Sequence, residues 1–170
     1  MSARANKKVR QTDNSNPNVI EKGHGRPACG PEGQNYLDFT SGNGVNSRGY
    51  CDLEWSEAAS RQAHKLQHTS NLYYTAPCSK LAKALCRRTG MSKVFFANSG
   101  GEANEGAIKA ARKYSFDHYG EGRSTVITLV NSFHGRTLAT LTATGQDGFH
   151  QYFGPFNEGF AYVEAGDIDR

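Results

Sequence analysis

The sequence predicts an α/β fold, a mostly parallel sheet with flanking helices preceded by a smaller N-terminal segment, and three observations point there. Residues 93–97 and 124–130 are short apolar runs of the kind shown by strands covered on both faces. Between them lies a stretch of helical period opened by Ser99-Gly100-Gly101-Glu102. Ahead of both, the chain is polar and rich in glycine and proline, which suits short strands and turns better than a large core. Strand, helix and strand in that order make a βαβ unit, and such units are right-handed.

Taken in order, residues 1–18 read as a mobile basic arm, with Arg4, Lys7, Lys8 and Arg10 and no acid in the first ten positions. Residues 19–75 form the N-terminal segment. Short strands over 19–39 are broken by Gly23, Gly25, Pro27, Gly30 and Gly33, and Pro31-Glu32-Gly33-Gln34 is a hairpin turn before residues 35–39. Residues 41–50 hold too much glycine and asparagine for regular structure. A helix follows over 54–67 with Trp55, Ala58, Ala59, Gln62 and Leu66 along one side.

Residues 76–170 read as the first part of the larger domain. Ser79 is placed to cap a helix over 80–88, with Leu81, Ala84 and Leu85 inward and Gly90 ending it. After the strand at 93–97, Ser99 and Glu102 form a capping box in which the glutamate returns to the N–H of residue 99, so the next helix starts at Gly100. Ala103, Ala107, Ile108, Ala111 and Tyr114 give that helix an apolar face for the sheet. The strand at 124–130 ends in a polar turn, residues 138–144 are a short helix, and 160–164 a third strand.

Bulk properties narrow the function. The net charge is +4, but the excess sits in the N-terminal arm, so there is no basic face for a nucleic acid. No apolar run approaches the roughly 20 residues of a membrane helix, and the arm lacks an apolar signal core. Cys29, Cys51, Cys78 and Cys86 are too scattered for a disulfide framework or a zinc site and read as reduced core thiols of a cytoplasmic protein. His64 and His68 are one helical turn apart but lack the glutamate of a zinc-protease pattern, so no metal site is expected. The ending, Gly166-Asp167-Ile168-Asp169-Arg170, shows no closing element and is expected to be an interruption.

The chemistry concentrates in two turns. A glycine-rich strand-to-helix junction at 99–102 points backbone N–H groups at an anion, although on this stretch alone a plain capped helix fits equally well. The second turn carries Phe133, His134 and Arg136 and follows the next strand, so both lie beyond strand carboxyl ends, where open α/β sheets bind ligands. A phosphate cradle, a flat ring and an arginine for a carboxylate suit a phosphorylated aromatic cofactor acting on an amino acid. Neither G-x-G-x-x-G nor the nucleotide P-loop is present, which disfavours a nicotinamide cofactor.

Asn98-Ser99-Gly100-Gly101-Glu102-Ala103-Asn104-Glu105, Ser132-Phe133-His134-Gly135-Arg136-Thr137-Leu138 and Thr142-Ala143-Thr144-Gly145-Gln146 together resemble the class III, fold-type I pyridoxal-phosphate (PLP) aminotransferases. His68-Thr69-Ser70-Asn71-Leu72-Tyr73-Tyr74 is most similar to the acetylornithine branch, with the succinylornithine and ornithine enzymes close by. The resemblance runs from about Tyr36 onward. It implies that Ser99, Gly100, Gly101, Phe133 and His134 bind PLP, with the two glycine N–H groups on the phosphate and Phe133 on the ring. It further implies that Arg136 holds the substrate carboxylate, that Val45 and Asn46 lie on the substrate side, and that residues 71–74 approach the partner's site in a homodimer. Acetylornithine would be the amino donor and 2-oxoglutarate the acceptor.

The sequence also departs from that pattern. Gly101 stands where many relatives have threonine or alanine, Tyr50 where histidine is common, and Asn43-Gly44 replaces a more apolar pair. The family's Schiff-base lysine and pyridine-nitrogen aspartate fall beyond Arg170, so none of the catalytic residues is expected within the chain and the chain alone is expected to be inactive. Two other readings remain at this stage, a non-catalytic phosphate- or nucleotide-binding module and a pseudoenzyme subunit.

Overall fold

The structure, a computed structural model, describes residues 18–168. The basic arm, apart from Asn18, lies outside the described residues. The chain divides into two units, Met1–Tyr73 and Tyr74–Arg170.

In the first unit, β1 (Lys22–Gly23), β2 (Pro27–Cys29) and β3 (Asn35–Leu37) form an antiparallel sheet in that order, with Gly23 opposite Ala28 and Ala28 opposite Tyr36. Gly23 is required by packing, since a Cβ there would stand 2.6 Å from the Tyr50 ring. Next comes α1 (Ser41–Gly44), a single turn, and then α2 (Leu53–Lys65), whose N-cap Asp52 accepts from the N–H of Trp55 at 2.8 Å. The expected apolar side of α2 is not buried: Trp55 is 65% and Leu66 44% exposed.

The second unit opens with α3 (Ala76–Thr89), which starts four residues earlier than the sequence suggests. Ser79 is not its cap; its N–H donates to the Thr75 carbonyl at 3.1 Å, one turn inside the helix. Pro77 explains the shift, because a proline in the first turn loses no helical hydrogen bond and its φ is already helical. Gly90 ends the helix in the left-handed region (φ 75°), in agreement with the sequence. Leu81 and Ala84, expected inward, are exposed.

Helix α4 (Gly100–Tyr119) is followed by β4 (Val126–Leu129), the short helices α5 (Leu138–Ala143) and α6 (Asp147–His150), and β5 (Phe160–Val163). β4 and β5 pair in parallel, with Ile127 opposite Ala161. The expected βαβ unit is therefore displaced along the chain. Residues 93–97 form no strand and pair with none among the described residues, so the parallel pair is β4 and β5, joined through α5 and α6. A strand exists only as a member of a ladder, and apolar content alone supplies no partner.

The face of α4 that packs is also not the apolar one. Ala103, Ala107, Ala111 and Tyr114 are exposed, whereas Asn104, Glu105, Ile108, Arg112 and Ser115 are half-buried. The reason lies in the loops below the helix, which present carbonyls in need of donors. Arg112 donates through Nε to the Ser124 carbonyl at 3.1 Å and through Nη2 to those of Glu158 at 3.1 Å and Gly159 at 3.3 Å. Its guanidinium also lies 5.1 Å from the Phe160 ring centroid. Ser115 Oγ donates to the Arg123 carbonyl at 2.6 Å.

The centre of this unit is rich in threonine. Thr128, Thr140, Leu141, Thr142, Ala143 and Thr144 are buried, and Thr140 and Thr144 are fully enclosed. Burial of hydroxyls is tolerated where they are bonded, and Thr128 Oγ1 is the exception, buried without a hydrogen-bond partner among the described residues. Thr144 Oγ1 accepts from the His134 N–H at 3.0 Å and lies 2.9 Å from the Thr140 carbonyl, and Thr142 Oγ1 lies 2.8 Å from that of Leu138. The Tyr162 hydroxyl donates to the Thr142 carbonyl, and burial raises its pKa above the ordinary tyrosine value. All four cysteines are free thiols, but the core location expected of them fails: Cys51 and Cys78 are exposed, and Cys29 and Cys86 are only half-buried. Cys51 sits in a turn at φ 53°, and Cys78 lies in α3, a helix with no buried residue.

Candidate functional site

The N-terminus of α4 is built as the sequence indicates, with one change. Ser99 is extended (φ −150°, ψ 162°), and its Oγ accepts from the N–H of Glu102 at 3.1 Å. The Glu102 carboxylate does not return to the N–H of Ser99. It accepts instead from the backbone N–H of Asn98 at 2.9 Å and from Asn98 Nδ2 at 3.1 Å, so that one residue offers two donors to one oxygen. The loop is thereby clamped one residue further back. The N–H groups of Gly100 and Gly101 have no acceptor among the described residues, and a Cβ built on Gly100 would meet nothing within 4 Å. Two free amides at a positive helix end, with open space before them, fit a phosphate.

The turn at 133–137 lies directly against this junction. Gly135 adopts φ 127°, and a Cβ on it would come within 2.9 Å of Gly101 Cα and 2.7 Å of Thr140 Oγ1. Only glycine allows that approach. The structure therefore brings the turn that carries Phe133, His134 and Arg136 against the helix start at Gly101 through Gly135. Phe133 is 52% exposed and packs on Phe149 of α6 with ring centroids 5.6 Å apart, leaving about half of its surface open. His134 Nε2 is buried without a hydrogen-bond partner among the described residues. A polar atom in that state needs a partner from outside these side chains, and this also fits a polar ligand at the junction. Arg136 is exposed beside it.

Several residues that shape this site carry little signal in the sequence. Asn104 Nδ2 donates to the His134 carbonyl at 2.8 Å, the Thr137 hydroxyl donates to Glu105 Oε1 at 2.5 Å, and Gln146 Nε2 donates to the Ser132 carbonyl at 3.1 Å. Asn104, Glu105, Thr137 and Gln146 lie inside the three stretches that carry the family resemblance, but their local pattern does not mark them as supports, and the place of Asn104 and Glu105 one turn beyond the capping box by itself suggests solvent.

A family model described as aminotransferase class-III matches residues 9–170. The chain belongs to the class-III aminotransferases. Members of that family, and the fold-type I enzymes that this chain resembles in structure, depend on PLP. Among class-III relatives, acetylornithine aminotransferase from Haemophilus ducreyi is 59% identical over 151 residues, which is 89% of this chain and 38% of that protein. The enzyme of the same name from Caldanaerobacter subterraneus is 48% identical over 163 residues, covering 96% and 42%. The crystal structure of ornithine aminotransferase from Toxoplasma gondii matches with a TM-score of 0.91 at 27% identity, over 98% of this chain and 40% of that one. The chain thus spans about two-fifths of the length of the class-III aminotransferases it matches.

Val45 and Asn46 belong to the first unit. Ser41, Gly42, Asn43 and Gly44 all have positive φ (50°, 60°, 59° and 81°), a complete left-handed turn. Such a conformation costs a non-glycine residue about 1–2 kcal/mol. Asp38 holds the turn: its Oδ1 accepts from Thr40 N at 2.7 Å, Thr40 Oγ1 at 2.8 Å and Ser41 N at 2.9 Å, and its Oδ2 from the Tyr50 hydroxyl at 2.9 Å. Those bonds, led by the Thr40 hydroxyl, depress the Asp38 pKa below its ordinary 3.8 and raise that of Tyr50. A cavity of about 650 Å³ lies here, with Arg26, Asp38, Asn46, Arg48 and Tyr50 in its wall, while Val45 is 78% exposed.

Proposed function

We propose that this chain carries the phosphate-binding and carboxylate-binding part of a PLP-dependent aminotransferase that takes its amino group from acetylornithine and delivers it to 2-oxoglutarate. The observation that carries the reading is the joint between Gly101 and Gly135, which packs the turn bearing Phe133 and Arg136 against the helix end that offers two free N–H groups. The Gly100 and Gly101 amides and the Ser99 hydroxyl hold the phosphate, the open half of Phe133 covers the ring, and Arg136 takes the substrate carboxylate in a two-pronged pair. When bound, PLP supplies an electron sink for the bonds at the substrate α-carbon. His134 Nε2 is the polar group placed to meet a ligand at the same junction.

The choice of acetylornithine follows the names of the Haemophilus ducreyi and Caldanaerobacter subterraneus relatives and the segment at 68–74. In this reading the lysine and aspartate that complete the chemistry lie outside these 170 residues, the working enzyme is a cytoplasmic homodimer, and the isolated chain does not turn over. The test is made on the full-length polypeptide. It should take up PLP with an absorbance near the visible edge and transfer an amino group from acetylornithine to 2-oxoglutarate. Arg136→Ala should lower kcat/KM about 10- to 150-fold, the value of a charged hydrogen bond of about 1.5–3 kcal/mol. Uptake of PLP with no transfer from any ω-amino acid would end the reading, as would an Arg136→Ala enzyme of unchanged kcat/KM.

A further inference from the structure

Resting on the reading above, we propose that Asn104 and Glu105 are positioning residues that lock the Arg136 turn to the phosphate-binding end of α4. They fix how far the carboxylate site stands from the phosphate site. Neither residue touches the ligand in this proposal. Their effect passes through the backbone of residues 134–137.

The geometry is specific. The turn is gripped on both sides of Gly135-Arg136. Before them, Asn104 Nδ2 donates to the His134 carbonyl at 2.8 Å. After them, the Thr137 hydroxyl donates to Glu105 Oε1 at 2.5 Å. Thr137 has one hydroxyl proton, and with that proton on Glu105 the contact of 2.6 Å to Thr140 Oγ1 is donated by Thr140. The chain of hydroxyls therefore runs from fully buried Thr140 through Thr137 to a carboxylate, and bonds to an ionised acceptor are the strong ones. Thr140 Oγ1 also accepts from the Thr137 N–H at 3.0 Å, which fixes the backbone directly after Arg136. Between the two grips, Gly135 lies against Gly101, so the turn has contact with the same helix at three successive levels.

Asn104 and Glu105 are adjacent on α4, one turn past the Gly100 and Gly101 amides. The helix is a rigid ruler over that distance, rising about 1.5 Å per residue. Loosening either grip frees the arginine turn while leaving the amides where they are. Carboxylate recognition should thus weaken and phosphate recognition should not.

The experiment uses the PLP-loaded full-length enzyme with Glu105→Ala, Glu105→Gln, Asn104→Ala, Thr137→Val and the double variant Glu105→Ala/Thr137→Val. Glu105→Ala, Asn104→Ala and Thr137→Val should each raise the KM for the amino donor about tenfold with kcat within about threefold, as expected for lost uniform binding. Binding of glutarate, an unreactive dicarboxylate, measured by calorimetry should weaken by the same factor, while the dissociation constant of PLP stays within twofold. Glu105→Gln retains an acceptor for Thr137 and should recover most of the loss. The double variant should be no worse than Thr137→Val alone, which already cuts the Glu105 bond together with the contact to Thr140 Oγ1.

Equal losses of PLP and glutarate affinity would overturn the proposal, and so would additivity in the double variant or an unchanged KM in Glu105→Ala. If Glu105→Ala does not fold, near-isosteric Thr137→Val tests the same bond from its other end, and an unchanged KM there overturns the proposal equally. Arg136→Lys, measured in parallel, separates the two levels of inference. If it raises KM and Glu105→Ala does not, only the positioning role falls. If it leaves KM and glutarate binding unchanged, the carboxylate site falls and the positioning role with it.

Discussion

Two glycines in contact with each other should respond in opposite ways to the same substitution. At Gly135 the backbone has φ 127°, and a Cβ would stand 2.9 Å from Gly101 Cα and 2.7 Å from Thr140 Oγ1. A non-glycine residue held in so sparsely populated a region costs about 1–3 kcal/mol. The overlap is with a backbone carbon and a fully buried threonine, neither of which can swing aside, and forced overpacking of that kind adds about 1–3 kcal/mol. Gly135→Ala should therefore destabilise the full-length protein by about 2–6 kcal/mol on these two figures. At Gly101 a Cβ would meet nothing nearer than Thr137 Cγ2 at 3.7 Å, which is ordinary contact, and the residue lies in the first turn of a helix. Gly101→Ala should be neutral or stabilising by up to about 1 kcal/mol. Denaturant unfolding of the two variants beside the parent protein measures both, and PLP titration of each reports whether the joint still holds the cradle open. A Gly135→Ala protein as stable as the parent, or a Gly101→Ala protein as damaged as Gly135→Ala, would refute the close approach on which the site rests.

Two further outcomes test the units separately. Arg112→Met keeps the aliphatic stem but strips donors from the carbonyls of Ser124, Glu158 and Gly159, and should cost about 2–4 kcal/mol in unfolding free energy, since orphaned acceptors are expensive; a loss under about 1 kcal/mol would show that water replaces the guanidinium. In the first unit, the folded pKa of Asp38 lies below 3.8, so its contribution is complete above that value and is lost as the pH falls through the folded value. Asp52 is depressed as well, first by the Trp55 N–H and then by Arg48, and titrates in the same window. Trp55, the only tryptophan, shares a cavity wall with residues 45–52, so its emission should change in a transition centred below pH 3.8, reduced but not abolished in Asp38→Asn. An acid transition identical in Asp38→Asn would remove Asp38 as the holder of the left-handed turn.

What can be read from the sequence is whatever is encoded within a few residues. The start of α4 at Gly100, the stop of α3 at Gly90, the turn before β3 and the strand at β5 all follow from caps, glycines and β-branched runs. The differences share another cause. Residues 93–97 look like a strand because strand content is local, but pairing is a property of two segments, and no second segment pairs with them among the described residues. On α4 the apolar pattern points to one face and the packing uses another. Beneath the helix lie loop carbonyls, and these recruit Arg112 and Ser115. For α3, Ser79 is the better capping residue by type, yet Pro77 sets the start by geometry and puts the N-cap at Thr75. Burial tells the same story: among the described residues the buried apolar side chains are Ala28, Leu141 and Ala143, while Trp55, Leu72, Tyr74, Phe95 and Ile127 are exposed. Amphipathic patterns record what a segment is suited to cover, and they do not state what covers it.

In the candidate site the helix start at Ser99–Glu102 is legible in the sequence and the side chains that grip the turn at 134–137 are not, and the reason is physical. A phosphate cradle must be made of backbone amides at a helix start, so its signature is contiguous and survives in one line of sequence. The support of Arg136 is made of single side chains 30 and 32 residues away, Asn104 on the His134 carbonyl and Glu105 on Thr137. Nothing in their spacing marks them, because any polar residue on an exposed helix face looks the same. The Gly101 position joins the two cases. In the sequence it is a place where a side chain is missing, and in the structure the vacant space lies over the methyl of Thr137, the residue that Glu105 holds. A threonine at position 101 would fill that space and press on the same turn. With glycine there, the hold on the Arg136 turn passes to the hydrogen bonds of Asn104 and Glu105, which is why their removal should be felt in carboxylate binding first.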